Sequence, residues 1–576
     1  MGNFILMPKL GMTMTDGKII KWLKDEGDMI EKGDYIFEVE TDKTSLEVDS
    51  LYTGILLKKY YGAGEDVPCN SEMGYIGKTG EAIPELQRAA AAASVPTEKQ
   101  SVSAPAAEPS KKVETKPLVV EEGSYDYDLI VIGAGPGGYV AAIRAAQLGA
   151  KVAIVEKDEM GGTCLNRGCI PTKALYASAK RWKNIRNADQ YGFKVTGAEF
   201  DFTAIMENKN KVVHRLTSGV SSLMKKNKVE IIKGEAKIKK EHEVTVGGKK
   251  FTCKFALIAT GGRPASVLKN IDAGVEIWDT DKLMGLKSLP EKAVIVGGGI
   301  IGCEIGCILN SFGVKVTIVE MLPSILSMVD GDIAVCLADD MKKNDIEILS
   351  GVTVDGIKKD SAHNIVKLSN GNTVTCDMII EAVGRKANKD AFEDLGVELT
   401  PKGFVVTDDF MTTNLGSVYA IGDITGICQL AHAASEQGII AVERMFGGRT
   451  KAEKQNIPSC IFTDLEIAYV GMTEAQAKEK GLDVRIFKFP FGANGKALTM
   501  GESEGFVKVV CESRFGEILG VHIIGPDASS LIQEAVTAMR LEATAESAGT
   551  TVHAHPTLSE ALMEAFLGCS TGAIHM

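Results

Sequence analysis

The stretch from Gly161 to Lys173, reading GGTCLNRGCIPTK, places Cys164 and Cys169 five positions apart. On an ideal helix this spacing separates the Cα atoms by about 8.6 Å, whereas a disulfide needs about 4.4 to 6.8 Å. A glycine and Pro171 should bend the backbone, with a helix following from Ala174 to Lys180. Because strained disulfides are labile, the pair predicts redox chemistry. The alternatives are two buried free thiols or half of a zinc site, although zinc ligands favour C-x-x-C spacing.

The whole string resembles the active-site segment of the FAD-dependent pyridine nucleotide-disulfide oxidoreductases. The resemblance implies that Cys164 exchanges with the substrate and that Cys169 faces the flavin. It also implies that Lys173 pairs with Glu304, beside the flavin. Glu304 is a charge at the start of an apolar helix, where an unpaired buried carboxylate would be costly. Arg167 departs from the pattern of many relatives, and we assign it no role.

Near the end of the chain, HAHPTLSE places His555 five residues before Glu560. A histidine oriented by a carboxylate can act as a base near neutral pH. The string resembles the C-terminal signature of the dihydrolipoamide dehydrogenases within the same family. That resemblance implies that His555 is the base, that Glu560 is its partner, and that the base serves the other subunit of a homodimer. We interpret His553 as structural.

Two glycine-rich fingerprints each follow a strand and open a helix, and an acid ends the next strand. Such a context predicts two dinucleotide sites, in which the phosphates meet the helix N-terminus and the acid meets a ribose. The residues are Gly133, Gly135, Gly138 and Glu156 in the first copy, and Gly297, Gly299, Gly302 and Glu320 in the second. The resemblance implies FAD at the first site and NAD at the second. A carboxylate at Glu320 repels a 2'-phosphate, which favours NAD over NADP.

Three further strings, ALIATGGRP, EAVGRKAN (with Gly384) and YAIGDITG, resemble crossover segments of the family. In the last string, the resemblance implies that Asp423 binds the FAD ribitol. Downstream, LAHAASEQG implies Ala431 beside the flavin, whereas for His432 a packing role is equally expected.

The N-terminal region alternates short predicted strands with turns, for example Ile19 to Leu23, Tyr35 to Glu40 and Leu46 to Val48. Lys43 follows Thr-Asp between two of them, at the predicted tip of a hairpin. The segment EGDMIEKGDYIFEVETDKTSLEVDS resembles lipoyl domains, which implies that Lys43 carries a lipoyl group. An exposed hairpin lysine that is only a solvated charge is the plain alternative.

The chain has 576 residues and a net charge of -12, which argues against nucleic acid or an anionic membrane surface as partner. It has no apolar run long enough for a membrane span and no leader-like N-terminus, so we expect a cytoplasmic protein. Most of the 12 cysteines look like isolated, reduced core residues. Cys569 stands alone in LGCSTGAIHM, whereas a mercuric reductase would add a C-terminal cysteine pair.

We therefore expect an α/β protein with two Rossmann-like dinucleotide-binding domains and an α+β dimerisation domain, preceded by a small all-β lipoyl domain. The expected segments are a lipoyl domain (1–80), an Ala/Pro-rich linker (81–123), an FAD-binding domain (124–270), an NAD-binding domain (271–395), a central FAD-binding segment (396–456) and an interface domain (457–576). The resemblance implies a dihydrolipoyl dehydrogenase using FAD, NAD and a lipoyl group. Its expected partners are a second copy and the lipoyl domains and acyltransferase core of a 2-oxo acid or acetoin dehydrogenase complex. A sister reductase with another substrate, or a lipoyl carrier or scaffold, stays open.

Overall fold

The computed structural model describes residues 2–8, 16–40, 45–69, 71–78, 81, 83–84, 124–360, 362–447 and 456–576. The chain divides into two compact units, Met1–Ser110 and Lys111–Met576. Within the described ranges, no helix has the length and apolar character needed to cross a membrane.

The first unit is built from short antiparallel strands. They are β1 Asn3–Leu6, β2 Asp16–Trp22, β3 Met29–Ile30, β4 Tyr35–Glu40, β5 Ser45–Asp49, β6 Gly54–Lys59, β7 Asp66–Pro68 and β8 Glu72–Gly77. The described strands form two four-stranded sheets, in the orders β1-β8-β6-β3 and β5-β4-β2-β7. Alternating residues such as Ile19, Phe37 and Leu56 are fully buried between them, as expected when one face of each sheet meets the core. The strands predicted from alternation are confirmed.

Strands β4 and β5 pair antiparallel, with Glu40 opposite Ser45. Residues 41–44 therefore connect the two strands of a hairpin. Lys43 belongs to this connection and lies outside the described residues, so its predicted position at the tip stays a prediction. Glu81 accepts hydrogen bonds from the backbone N–H of Gly2 at 2.6 Å and of Lys78 at 3.0 Å, so the contacts of this unit continue past residue 80.

The second unit begins with a dinucleotide-binding fold. Its elements are β9 Tyr127–Ile132, α1 Pro136–Gln147, β10 Val152–Glu156, α2 Gly162–Asn166, α3 Cys169–Arg186, a 3-10 helix Ala188–Tyr191, α4 Phe202–Lys226, β11 Glu230–Lys233, β12 Ala236–Lys240, β13 Glu243–Val246, β14 Lys249–Ile258 and β15 Gly262–Pro264. Strands β11, β10, β9 and β14 are parallel neighbours in that order, and β12 and β13 extend β14 as an antiparallel ribbon. The buried strands read as continuous apolar runs, as parallel strands covered on both faces do.

A second fold of the same kind follows. Its elements are β16 Ile277–Trp278, α5 Thr280–Leu283, β17 Lys292–Val296, α6 Ile300–Ser311, β18 Lys315–Glu320, α7 Gly331–Lys343, β19 Glu347–Ser350, β20 Val354–Lys359, β21 Asn364–Leu368, β22 Thr373–Cys376, β23 Met378–Glu381 and β24 Arg385–Ala387. The parallel sheet has the order β16-β23-β17-β18-β19.

The chain then returns to the first fold through β25 Val418–Ala420, a 3-10 helix Gly422–Thr425 and α8 Ala431–Met445. Strand β25 pairs parallel with β14. Helix α8 packs on α1 where two glycines meet: a Cβ at Gly137 would lie 2.8 Å from Ala434 O, and one at Gly438 would lie 2.8 Å from Gly137 O. This close approach holds the segment from β25 to α8 against the first glycine-rich loop.

The C-terminal domain is an antiparallel sheet covered by helices. Its elements are β26 Ser459–Ile461, β27 Ile467–Gly471, α9 Glu474–Glu479, β28 Val484–Pro490, a 3-10 helix Phe491–Ala493, α10 Gly495–Met500, β29 Phe506–Glu512, β30 Ile518–Ile524, α11 Ala528–Arg540, α12 Ala545–Gly549 and α13 Glu560–Gly568. The sheet order is β26-β27-β30-β29-β28. The domain has its own apolar core, in which Val509, Ile532 and Phe566 are fully buried.

Candidate active site

A cavity of about 1240 Å³ is lined by the residues that follow β9 and β17 and by both cysteines of the predicted redox pair. The sequence-predicted residues that line it are Gly133, Gly135, Gly138, Glu156, Cys164, Cys169, Lys173, Gly297, Gly299, Glu304, Glu320, Gly384, Asp423, Ala431 and His432. The fold therefore brings most of the predicted site residues of the second unit to one space.

The two glycine-rich loops have the same backbone design. Gly133 and Gly297 have φ angles of +104° and +110°, which residues with a side chain rarely adopt. Beside Gly135 and Gly299 a Cβ would have no neighbour within 4 Å. The loops therefore leave open space at the N-termini of α1 and α6, where phosphates bind readily. This cradle fits two dinucleotides.

Each loop is held by the acid that ends the following strand. Glu156 accepts from Ala134 N–H at 2.8 Å, and Glu320 accepts from Gly298 N–H at 2.6 Å. Glu320 also accepts from Leu322 N–H at 2.8 Å. Both carboxylates are buried and line the cavity. The two acids thus fix the loops, and their remaining lone pairs are available to ribose hydroxyls.

Cys164 lies in the short helix α2, and Cys169 is the first residue of α3. Both are free thiols in this structure. The Cys164 thiol donates a hydrogen bond to Cys169, which lowers the pKa of Cys169 to about 7 even though burial opposes ionisation. Lys173 and the N-terminal end of α3 act in the same direction. The same hydrogen bond and burial raise the pKa of Cys164. The two cysteines are therefore unequal, and the thiolate form is favoured at Cys169.

The predicted bend between the cysteines is present, but the predicted start of the helix is wrong. Helix α3 begins at Cys169 and not at Ala174, so Pro171 lies within its first turn. Proline is tolerated there because the first backbone N–H groups of a helix have no partner within the helix. Gly168 is the N-cap, between α2 and α3.

The predicted ion pair between Lys173 and Glu304 is confirmed. Lys173 Nζ donates to both carboxylate oxygens of Glu304 at 2.9 Å. Glu304 also accepts from Phe462 N–H at 2.9 Å, and the Lys173 ammonium lies 4.7 Å from the centre of the Phe462 ring. Our sequence reasoning missed Phe462. Both oxygens of the buried Glu304 carboxylate thus accept hydrogen bonds, and the carboxylate holds the Lys173 ammonium beside the thiol pair.

A second group at the cavity was also missed. Arg385 Nε and Asp281 Oδ1 are buried and have no hydrogen-bond partner within the described part of the chain. Arg385 lies 3.8 Å from Asp423 and 3.9 Å from Asp281, and burial raises the pKa of both carboxyls. Arg385 and Asp423 line the cavity, and an unpartnered Arg385 Nε there fits a polar ligand. Arg167, to which we assign no role, pairs with Asp158.

The two C-terminal histidines lie in different surroundings. His555 Nδ1 lies 2.8 Å from Glu560 Oε1, and the His555 side chain is 78% exposed. Burial opposes ionisation of Glu560, but Thr557 N–H and His555 together lower its pKa. His553 is 6% exposed and bonds to Glu534 at 2.7 Å, which agrees with a structural role. Nε2 of His555 has no hydrogen-bond partner among the residues that the structure describes.

His432 lies at the cavity, but its ring bonds to Pro458 O at 2.8 Å. That contact joins the start of α8 to the C-terminal domain and supports the packing role. Ala431, the first residue of α8, offers no reactive atom but lines the same space.

Comparison with known proteins agrees with this geometry. The family model described as pyridine nucleotide-disulphide oxidoreductase matches residues 127–438, and the dimerisation domain of that family matches residues 457–566. The model described as biotin-requiring enzyme matches residues 3–76.

Curated dihydrolipoyl dehydrogenases from Geobacillus stearothermophilus and Thermus scotoductus are 41% and 40% identical to this chain. Each alignment covers 78% of this chain, and 97% and 99% of the respective relative. Among solved structures, the HOCl-induced flavoprotein disulfide reductase RclA from Escherichia coli matches with a TM-score of 0.70 at 26% identity. LpdA from Mycobacterium tuberculosis matches with a TM-score of 0.71 at 25% identity. Each covers 76% of this chain, and 99% and 98% of the solved chain.

These matches confirm the predicted fold class and the resemblance on which the site residues were chosen. They extend over both nucleotide-binding folds and the C-terminal domain, and they add a biotin/lipoyl domain at the N-terminus. The chain therefore belongs to the pyridine nucleotide-disulphide oxidoreductase family.

Proposed function

We propose that the protein is a dihydrolipoyl dehydrogenase, which oxidises protein-bound dihydrolipoyl-lysine to lipoyl-lysine and reduces NAD to NADH. The observation that carries the proposal is the unequal thiol pair, Cys164 and Cys169, in the cavity that also contains both glycine-rich loops. The relatives named dihydrolipoyl dehydrogenase, which this chain covers almost end to end, support the choice of substrate.

The cavity contains the residues that would hold FAD and NAD. For FAD they are Gly133, Gly135, Gly138, Glu156, Asp423 and Ala431, together with Arg385; for NAD they are Gly297, Gly299, Gly302, Glu320 and Gly384. When bound, FAD and NAD supply the electron acceptance that restores the disulfide after each turnover. The carboxylate of Glu320 would accept from a ribose 2'-hydroxyl of NAD and would repel the 2'-phosphate of NADP, so the second site should favour NAD.

The thiols would react in a fixed order. In the oxidised enzyme, a substrate thiolate attacks Cys164 Sγ, the enzyme S–S bond breaks, and Cys169 leaves as a thiolate. The second substrate thiol then attacks the mixed disulfide, so that the lipoyl disulfide forms and Cys164 is released as a thiol. In this reduced state, the hydrogen bond from Cys164 and the charge of Lys173 would stabilise the Cys169 thiolate.

His555 would take the proton from the substrate thiol, with Glu560 holding the ring through Nδ1. Neither residue is among the described residues that line the cavity containing Cys164. The dimerisation domain provides for a homodimer, in which His555 of one protomer would serve the thiol pair of its partner. A site completed in this way would require the dimer for activity.

The N-terminal domain would carry the lipoyl group on Lys43. With such a domain, the protein fits the role of E3 component of a 2-oxo acid or acetoin dehydrogenase complex, working beside the lipoyl domains and acyltransferase core of that assembly. The predicted linker between the units would give the tethered lipoyl group a high effective concentration at sites of the same assembly.

The test is the NAD-dependent oxidation of free dihydrolipoamide by the purified FAD-loaded protein. We expect turnover in the wild type and its loss in Cys164→Ser, whereas Cys253→Ser, at a buried cysteine of β14 that does not line the cavity, should retain turnover. His555→Gln should lower kcat strongly and leave cofactor binding intact. Turnover of glutathione disulfide with NADPH, without turnover of dihydrolipoamide, would contradict the proposal.

A further inference from the structure

The C-terminal domain holds a second pair of adjacent thiols. Cys511 lies on β29, and Cys569 directly follows α13. They are 0% and 1% exposed and belong to the same apolar core. Cys569 has no cysteine near it in the sequence, because Cys511 lies 58 residues earlier in the chain, before β30, α11 and α12.

Three contacts fix the position of Cys569 over the sheet. Its Sγ lies 3.5 Å from Val509 O and 3.8 Å from Arg485 O. Val509 is two residues from Cys511 on the same strand, and Arg485 is the residue opposite Cys511 on the neighbouring strand β28. The Cys569 thiol donates to these carbonyl oxygens. The interaction with the neighbouring Cys511 thiol lowers the pKa of Cys569 and raises that of Cys511. This asymmetry also distinguishes the two thiols at the cavity.

Two other buried cysteines, Cys253 and Cys376, lack this arrangement. Burial raises the pKa of both Cys253 and Cys376 to about 12, and no thiol is among the groups that influence either of them within the described residues. A thiol in such a setting is an inert apolar side chain. The pair in the C-terminal domain has both a nucleophile and a resolving thiol.

We propose that Cys511 and Cys569 are a second redox-active dithiol, converted to an intrachain disulfide by a peroxide small enough to enter the core, such as hydrogen peroxide. The Cys569 thiolate attacks one peroxide oxygen, the O–O bond breaks, and a sulfenic acid and hydroxide form. The hydroxide takes up the proton released when Cys569 ionised and leaves as water. Cys511 Sγ then attacks that sulfur, the S–O bond breaks, and a second water leaves with the Cys511 proton. Two thiols lose two electrons in total, and one peroxide becomes two waters.

The disulfide would connect the end of α13 to β29. Helix α13 begins at Glu560, the residue that orients His555, and its last turn is already tightly packed, because a Cβ at Gly568 would collide with the Phe487 ring. The bond therefore adds a covalent tie to the helix that positions the proposed base. A cross-link that closes a long loop destabilises the unfolded chain, so the oxidised domain should unfold at a higher temperature.

The decisive experiment uses the full chain with Cys164→Ser and Cys169→Ser, so that the result does not depend on the proposed dehydrogenase function. The protein is treated with hydrogen peroxide, remaining thiols are alkylated under denaturing conditions, and peptides are mapped by mass spectrometry without reduction. We expect a Cys511–Cys569 linked peptide, its disappearance after dithiothreitol, and full alkylation of Cys253.

Recovery of Cys511 and Cys569 as fully alkylated thiols, or of Cys569 as a sulfinic acid without the linked peptide, would overturn the proposal. As a matched control, Cys376→Ser should retain the link. Cys511→Ser should abolish it, and should also remove a peroxide-induced rise of a few degrees in the thermal unfolding midpoint. The linked peptide is measured with both thiols intact, so the outcome does not depend on whether Cys511→Ser folds.

Discussion

The ionisation of Cys169 offers the sharpest test of the active-site assignment. Its pKa of about 7, against the ordinary 9.0, corresponds to about 3 kcal/mol in favour of the thiolate. The largest favourable cause is the hydrogen bond from Cys164, with Lys173 next. Cys164→Ala removes that donor, so we expect the pKa to return to 9 or above, because burial then dominates. The thiolate fraction at pH 7 would fall from about one half to about 1%.

Because the pKa of Cys169 is lowered, Cys169 of the reduced wild type should become a thiolate as the pH rises through about 7. The assay is a pH titration of the ultraviolet thiolate absorbance of the reduced, FAD-loaded protein, with Cys169→Ser subtracted as the blank. Cys164→Ser is the matched control, because its hydroxyl can still donate, and its midpoint should stay well below that of Cys164→Ala. A titration step near pH 7 that survives in Cys169→Ser and vanishes in Cys164→Ala would reverse the two roles.

Three further predictions concern other parts of the molecule. Lys508 is 2% exposed and lies 2.8 Å from a buried aspartate at the N-cap of α7. Lys508→Met should therefore lower the free energy of unfolding, measured in denaturant melts, by about 3–5 kcal/mol. As a control, Lys343→Met removes an exposed ion pair and should lower the free energy of unfolding by less than about 1 kcal/mol. Glu320→Gln should reduce the preference for NAD over NADP about tenfold, or about 1.4 kcal/mol, in initial-rate assays, and an unchanged preference would contradict the ribose argument. Lys43→Arg should remove a lipoyl adduct from the intact mass but leave turnover of free dihydrolipoamide unchanged, and loss of that turnover would place Lys43 in the active site.

The parts that the sequence predicted well are those in which neighbours in sequence are also neighbours in space. A glycine-rich loop, its strand and its helix form one local unit, so the types and spacing of Gly133, Gly135 and Gly138 already imply the turn and the open cradle. The hairpin between β4 and β5 is local in the same way. The start of α3 was missed despite being local, because Pro171 was interpreted as a helix breaker when it occupies the first turn, where it is tolerated.

Some long-range contacts can be expected from the sequence, because one of the residues needs a partner of a known kind. Others cannot be expected, because neither residue shows such a need. Glu304 is a carboxylate in an apolar helix, and such a charge requires a cation. The family resemblance then identified that cation as Lys173, which lies 131 positions away in the chain. The backbone N–H of Phe462 also donates to the Glu304 carboxylate. The sequence does not indicate this contact, because every residue except proline has a backbone N–H.

The same distinction explains why the second thiol pair is invisible in the sequence. A buried cysteine behaves as a small apolar residue and needs no polar partner. The sequence around Cys511 or Cys569 therefore does not indicate that the other is its neighbour. Their meeting depends on the register of β28 and β29, which places Arg485 opposite Cys511, and on the length of α13, which ends one residue before Cys569. A change in either would separate the thiols while leaving every local motif intact. The reactivity of this pair is therefore a property of the fold.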